Sequence, residues 1–197
     1  MLFSINTHLP PEVVDHYSHP KEIKKATTLN DTKTRSRSSY IAWEPSSNWL
    51  ASLVETYMRN MNTMFFHYDL TNMAESHCQY TVYNKGDYYH WHLDSDINFI
   101  YSNEAPPVFP DHPAGPNTHL LQKEYHIRKL SFTLQLSHPE EYTGGELQFN
   151  MGEQLVTIPK GYGMLTVFDS RISHRVRKVK SGQRKSFVGW MCGPRWR

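Results

Sequence analysis

Two histidines and one aspartate are the residues whose types and spacing best suit chemistry at a metal. His92 and Asp94 are separated by one residue, and His174 lies in the C-terminal quarter of the 197-residue chain. Side chains two positions apart on a β-strand point to the same face, so His92 and Asp94 can share one ion. Two imidazoles and one carboxylate leave about three octahedral positions open. This pattern favours iron(II), with a chelating keto acid and molecular oxygen in the open positions, although the ligand set does not exclude zinc.

An arginine that follows the second histidine suits the binding of a carboxylate. Arg184 lies ten residues after His174, and Ser186, two positions further on, shares its strand face and can add a hydrogen bond. Taken alone, Arg184 is more simply interpreted as a surface arginine in a basic hairpin with Arg175 and Arg177. Taken with the three candidate ligands, it predicts an oxygenase that uses iron, molecular oxygen and a keto acid.

The short histidine motif is not specific by itself. With 12 histidines and 19 acidic residues in the chain, chance gives about one His-x-Asp or His-x-Glu match. Three occur, at 67–69, 92–94 and 138–140. Only the middle one lies in an aromatic run of period-two order, which includes Tyr88 and His90. His90 has two open interpretations, a role at the site or simple packing and exposure, and Trp91 is predicted to face the core.

Composition narrows the class of protein. The length predicts one domain with a sizeable core. The formal net charge of +2 makes a nucleic-acid partner unlikely. No signal-peptide pattern and no apolar run of about 20 residues occur, and Cys78 and Cys192 form no disulfide framework. These features predict a cytoplasmic location without a membrane partner. The basic N-terminal stretch, which includes Lys24, Lys25 and Arg37, is interpreted as a solvated face, with a substrate-facing patch as the alternative.

The sequence pattern predicts helical structure in the N-terminal part of the chain, followed by a β-sheet. Apolar residues at helical spacing predict a helix over about 48–62 that is capped by Ser46 or Ser47 and buries Trp49 and Leu50. The predicted strands are 79–82, 88–93, 130–136, 147–149, 155–158, 164–168, 174–179 and 187–190. We therefore expect an α+β, mainly β fold, a double-stranded β-helix or jelly roll with supporting N-terminal helices. Residues 1–197 form a single domain in this prediction, with helical support over about 1–75 and a catalytic β core over about 76–192.

A proline-rich loop interrupts the strand pattern. Five prolines fall between Asn103 and Pro116, and a loop of this length is usually either functional or an insertion. Two interpretations stay open, a substrate-proximal lid and a passive insertion.

Three segments carry a resemblance to a known family. They are Tyr83–Asp94, the stretch from Arg128–Ser131 to Tyr142–Phe149, and the stretch from Gly163 through His174 to Trp190. In this order they resemble the ligand strand, the Gly-Gly-Glu-Leu turn and the distal-histidine hairpin of prolyl-4-hydroxylase-type, iron(II)- and 2-oxoglutarate-dependent dioxygenases. The resemblance spans roughly residues 79–190.

The resemblance assigns roles to individual residues. It implies that His92, Asp94 and His174 bind iron(II), and that Arg184 binds the distal carboxylate of 2-oxoglutarate. Arginine at this position, where collagen-type members have lysine, argues against a collagen-like enzyme. The remaining implied co-substrate residues are Tyr83, Tyr89, Ser186, Thr133 and Gln135, of which Thr133 or Gln135 replaces a tyrosine that some relatives use.

The implied activity is hydroxylation of a prolyl or other residue in a protein or peptide. Succinate and carbon dioxide are the co-products, and ascorbate is an optional reductant. Two alternatives stay open: oxidation or demethylation of a nucleic-acid base by the same chemistry, and a non-catalytic β-barrel binding module. The three candidate ligands together with Arg184 argue against the binding module, which has no need of all four.

Overall fold

Strands dominate the described part of the chain, and two helices cover them. The computed structural model describes residues 1–19, 22–26, 36–73, 77–95, 127–194 and 196. The helices are Pro11–Tyr17 (α1) and Trp49–Met61 (α2). No helix of the described ranges is both long and apolar enough to cross a membrane. The proline-rich loop at 103–116 lies outside the described residues, so its role as a lid stays a prediction.

Fourteen strands form the sheets of the described residues. They are Leu2–Asn6 (β1), Lys24–Lys25 (β2), Arg37–Ser38 (β3), Tyr40–Pro45 (β4), His77–Tyr83 (β5), Tyr88–His92 (β6), Ile127–Gln135 (β7), Tyr142–Gly144 (β8), Leu147–Asn150 (β9), Leu155–Thr157 (β10), Met164–Asp169 (β11), His174–Val176 (β12), Val179–Gly182 (β13) and Arg184–Gly193 (β14). A seven-stranded sheet has the order β1-β11-β7-β14-β5-β4-β2, and a five-stranded sheet has the order β10-β9-β12-β6-β3. A short β13-β8 pair completes the jelly roll, which confirms the predicted fold class.

The alternation along β7 separates the core from the site. Leu130, Phe132 and Leu134 pack in the core cluster that also contains the buried face of α2. Ser131 hydrogen-bonds Ser170, in the turn that precedes the distal histidine. Because successive side chains of a strand point to opposite faces, one strand can serve the core on one side and the functional cavity on the other.

The residue that caps helix α2 is neither of the two serines that the sequence suggested. Asn48 is the cap, since its side chain accepts a hydrogen bond from the backbone N–H of Leu50 at 2.8 Å. The predicted caps Ser46 and Ser47 lie in the preceding turn. Leu50 is fully buried, whereas Trp49 is 53% exposed, so the prediction that Trp49 belongs to the core was wrong. The buried stripe runs at helical spacing through Leu50, Val54, Met58 and Met61.

The N-terminal segment adds strands as well as helices. β1 pairs with β11 and β4 pairs with β5, so strands from the first 45 residues extend the large sheet at both of its edges. Pro11 opens α1 at its first turn, where its missing N–H leaves no hydrogen bond of the helix unmade. The division into a support region and a catalytic core at about residue 75 stays a prediction.

The strand predictions differ from the structure most around the distal histidine. The predicted strand 174–179 is two strands, β12 and β13, because the chain leaves the five-stranded sheet after Val176 and pairs with β8 from Val179. The predicted strand 187–190 is the middle of β14, which begins at Arg184. The arginine therefore sits on a rigid central strand rather than in a hairpin turn.

The contrast between the first two residues of α2 gives a test of the core. Leu50→Ala should lower the free energy of unfolding by about 2–5 kcal/mol, because it leaves a cavity beneath the sheet. Trp49→Ala should lower it by less than about 1 kcal/mol, since this side chain is half-exposed. Urea denaturation of both variants measures the difference, and equal losses would show that the helix packs on another face.

Candidate metal and co-substrate site

A cross-strand pair brings the three candidate ligands together. β6 and β12 are neighbours, and His92 lies directly opposite His174 in their register. Asp94 follows β6, and its two oxygens lie 3.7 Å from His92 Nε2 and 3.7 Å from His174 Nε2. One ligand atom from each residue lies within 4.8 Å of the other two, a spacing that can hold a metal ion. The structure thus brings together all three residues that the sequence singled out.

Backbone carbonyls orient both imidazole rings. Nδ1 of His92 lies 2.8 Å from the carbonyl oxygen of His90, and Nδ1 of His174 lies 3.0 Å from that of Ile172. A carbonyl oxygen only accepts, so each Nδ1 carries the proton and each Nε2 keeps its lone pair. Both free lone pairs are on the side of Asp94, which is the arrangement that a metal requires.

The electrostatics favour the protonation states that bind a metal. Burial lowers the pKa of His92 to about 3, and the adjacent His174 adds to this lowering. Burial by itself raises the pKa of a carboxyl group, but His174 and His92 outweigh it and hold the pKa of Asp94 below its usual value. Ser131 also hydrogen-bonds the Asp94 carboxylate. Two imidazoles and one carboxylate match the three-ligand set of an iron(II) site, so the residues present fit this ion.

A β-bulge in β6 decides which side chains stand beside the metal ligands. His174 pairs with His92 while Val176 pairs with Tyr89, so β6 holds one more residue than β12 over this stretch. Tyr89 therefore stacks on His92, with ring centroids 3.5 Å apart. His90, which strict alternation placed on the face of His92, is exposed and does not line the cavity.

Trp91 lies on the face of β6 that points away from the cavity. The sequence predicted a core position for this residue, but the Trp91 side chain is 39% exposed and lies beneath the guanidinium of Arg175. The core prediction for Trp91 was therefore wrong, because the hydrophobic core does not extend to this face of the five-stranded sheet.

A cavity of about 600 Å³ opens beside the candidate ligands, and a buried arginine closes one end of it. Arg184 is 3% exposed, which excludes the surface-arginine interpretation. Its Nη1 donates to Ser186 Oγ at 3.2 Å, and its guanidinium lies 5.4 Å from the centroid of the Tyr83 ring. A buried guanidinium aimed into a cavity suits a carboxylate ligand. Ser186, Tyr83, Tyr89 and Thr133 also line this cavity, as expected of co-substrate residues.

Tyr142 is a candidate co-substrate residue that the sequence interpretation missed. Its hydroxyl accepts a hydrogen bond from Gln135 Nε2 at 3.2 Å, and its phenol also interacts with Arg184. Burial raises the pKa of Tyr142, so the phenol keeps its proton. Gln135 and Tyr142 both line a small adjoining cavity rather than the large one, and they act on the large cavity through Arg184, which lines both. The Gly-Gly turn just after Tyr142 was the available signal, since it brings β8 close to the arginine.

Trp190 and Arg171 lie near the site but differ in their access to the cavity. Trp190 is buried and lines the cavity, where the guanidinium of Arg128 lies 3.9 Å from its ring centroid. Arg171 forms an ion pair with Asp169 at 2.6 Å and does not line the cavity.

The fold and site define a class of protein, the iron-dependent oxygenases with a jelly-roll core. A sequence profile of the 2OG-Fe(II) oxygenase superfamily matches residues 78–192. This segment covers more than half of the chain and contains the three candidate ligands and Arg184. The chain belongs to the 2OG-Fe(II) oxygenase superfamily, whose cofactors are iron(II) and 2-oxoglutarate.

Sequence relatives include PKHD-type hydroxylases of bacteria. The chain is 48% identical over 64 residues to one from Parvibaculum lavamentivorans, a match that covers 32% of this chain and 28% of the relative. It is 34% identical over 111 residues to one from Shewanella frigidimarina, covering 55% of this chain and 40% of the relative. The chain thus matches less than half the length of these relatives.

Solved structures show the same fold at low sequence identity. A prolyl-4-hydroxylase from Pseudomonas putida has a TM-score of 0.64 and 18% identity over 99% of this chain and 93% of its own. A prolyl hydroxylase from Trichoplax adhaerens, solved with a hypoxia inducible factor peptide fragment, has a TM-score of 0.67 and 16% identity over 96% and 82%.

The metal site can be tested by metal content. His92→Ala and His174→Ala should each lower bound iron(II) sharply, because removal of one of three protein ligands leaves an incomplete site. His90→Ala is the matched control and should bind iron(II) like the unmodified chain, since the bulge turns His90 away. Anaerobic reconstitution followed by elemental analysis measures the occupancy. Full occupancy in His174→Ala would contradict the ligand assignment.

The co-substrate site can be tested by calorimetric titration with 2-oxoglutarate. Arg184→Gln should weaken affinity by about 100-fold, because a buried carboxylate loses its charged partner. Tyr142→Phe should weaken it by about fivefold, since only one hydrogen-bonding hydroxyl is lost. Arg175→Gln, which alters an arginine outside the cavity, should leave affinity unchanged. Equal affinity in all four proteins would show that the co-substrate binds elsewhere.

Proposed function

We propose that this chain is an iron(II)- and 2-oxoglutarate-dependent dioxygenase that hydroxylates a prolyl or other residue in a protein or peptide. Succinate and carbon dioxide are the co-products. The observation that carries the proposal is the shared cavity: the three candidate ligands and the buried Arg184 line the same 600 Å³ space. A co-substrate held between a metal and an arginine needs this arrangement.

The protein residues position the reactants and limit the access of water. His92, Asp94 and His174 would hold iron(II), which with 2-oxoglutarate supplies the oxidising power when bound. Arg184 and Ser186 would hold the distal carboxylate, and Tyr142 would orient Arg184. The cavity wall near the ligands is apolar, which keeps a reactive site dry. The residues that form this wall are Leu147, Phe168 and Val176.

The proposed substrate class rests on the similar proteins. PKHD-type hydroxylases are among the sequence relatives, and two prolyl hydroxylases, one solved with a peptide, share the fold. The second candidate function, oxidation of a nucleic-acid base, needs the same metal site but is weakened by the net charge of +2. A cytoplasmic, reducing location is also a proposal, consistent with Cys78 and Cys192 being buried free thiols.

A turnover assay separates these functions. The chain should convert 2-oxoglutarate to succinate with iron(II) and oxygen, and it should add one oxygen to members of a proline-containing peptide panel. His174→Ala is the control and should do neither, because its metal site is incomplete. Mass spectrometry measures the peptide product. Formaldehyde release from a methylated oligonucleotide without any peptide product would instead support base demethylation.

A further inference from the structure

The cavity extends beyond the part that the metal and co-substrate would fill. Arg184 closes one end, and Trp190, six residues further along β14, lies toward the other. Six residues of an extended strand span about 20 Å. 2-Oxoglutarate is much shorter than this, so the part of the cavity near Trp190 is available to a substrate.

The lining of the cavity is basic. Four cationic side chains line the cavity in addition to Arg184, namely Lys24, Lys25, Arg37 and Arg128. Among the lining residues that the structure describes, Asp94 is the only carboxylate, and it belongs to the metal site. The charges of iron(II), Asp94, the 2-oxoglutarate dianion and Arg184 cancel, so Arg37 and the two lysines favour an additional anion.

Side-chain hydrogen bonds fix the guanidinium of Arg37. Its Nε donates to Ser39 Oγ at 2.7 Å, and its Nη2 donates to Gln79 Oε1 at 2.7 Å. Its guanidinium lies over the ring of Tyr89, 4.8 Å from the centroid, and Tyr89 stacks on His92. Within the described ranges, Arg37 forms no ion pair with a carboxylate, and neither do the exposed Lys24 and Lys25. A fixed, half-buried cation that has no counter-charge among the described residues is suited to bind an anionic ligand.

We propose, on the basis of the proposed function, that the substrate is a peptide whose acidic side chain binds to Arg37 and to Lys24 and Lys25, within about three residues of the oxidised position. The distance between the acidic side chain and the oxidised position follows from the stacking of Arg37 on Tyr89 and of Tyr89 on His92. One ring, that of Tyr89, separates the guanidinium from the metal ligand His92, through contacts of 4.8 Å and 3.5 Å. An extended peptide covers this interval in about three residues at about 3.3 Å each.

The aromatic residues of the cavity favour a peptide over a nucleic acid. Proteins that bind single strands usually offer open aromatic faces on which bases stack, beside cations that bind phosphate. Here a guanidinium already lies over one face of Tyr89 and another over Trp190, and the imidazole of His92 covers Tyr89 as well. The cations of the cavity therefore lie on aromatic faces that a stacking base would need. This arrangement suits a carboxylate ligand better than a base.

Peptide libraries that differ only in charge placement test the inference. Three degenerate peptide pools are centred on a proline. The near-aspartate pool has two aspartates within three residues of the proline, and the second pool has two aspartates eight or more residues away. The third pool has two asparagines within three residues of the proline. Each pool is incubated with the iron-loaded chain and 2-oxoglutarate. Binding to the anaerobic protein with an inert 2-oxoglutarate analogue is measured in parallel. The near-aspartate pool should bind and gain oxygen about tenfold better than the other two.

Matched variants connect the preference to the residues. Arg37→Gln, and the double variant Lys24→Gln with Lys25→Gln, should reduce the near-aspartate preference several-fold while 2-oxoglutarate affinity stays unchanged. Arg175→Gln is the control, because Arg175 also lies over an aromatic ring and also bonds a glutamine, but outside the cavity. It should keep the full preference.

The outcomes separate this inference from the proposed function. Equal oxidation of all three pools by the unmodified chain would overturn the acidic-substrate inference and leave peptide hydroxylation standing. An unchanged preference in Arg37→Gln and in the double lysine variant would also overturn it. Oxidation of a methylated single-stranded oligonucleotide, with no peptide of any charge bound or oxidised, would overturn both.

Discussion

The pairing of His92 with His174 across two neighbouring strands is the constraint on which the rest of the site depends. It places two imidazoles side by side at the centre of the five-stranded sheet, with ring centroids 4.1 Å apart, and Asp94 reaches both from the end of β6. The one-residue bulge beside this pair brings Tyr89 onto His92. Arg37 then rests on Tyr89, so the position of a cation at the cavity mouth follows from the same register.

The large sheet supplies the other wall, and a single strand of it carries both ends of the cavity. β14 lies between β5 and β7, and it carries Arg184 at the closed end of the cavity and Trp190 toward the open end. The opposite face of this strand contributes Phe187 and Met191 to the core that α2 covers. Since both ends of the cavity belong to one packed strand, their separation is fixed by backbone geometry rather than by loops.

Burial of charge is the energetic cost of this arrangement. Arg184 is nearly inaccessible, and within the described residues its partners are neutral, a serine hydroxyl and a tyrosine phenol. A buried cation without a counter-charge destabilises a fold, and a carboxylate ligand reverses that cost on binding. The buried Asp94 carboxylate follows the same logic, because a metal ion supplies a positive charge beside it. Affinity for ligands and reduced stability of the empty site thus have one physical origin.

Local patterns in the sequence predicted the extent of α2 and the jelly-roll class, because periodicity and turn residues are recorded in neighbouring positions. The candidate ligands and Arg184 were singled out only by the combination of their motifs along the chain, since each motif alone was unspecific. Tertiary structure alone decided three other features. They are the bulge that places Tyr89 rather than His90 beside His92, the burial of Arg184 and the contact of Tyr142 with Gln135. They depend on strand register and on side chains far apart in sequence, and a one-residue change of register moves a side chain to the other face without leaving a trace in the local pattern.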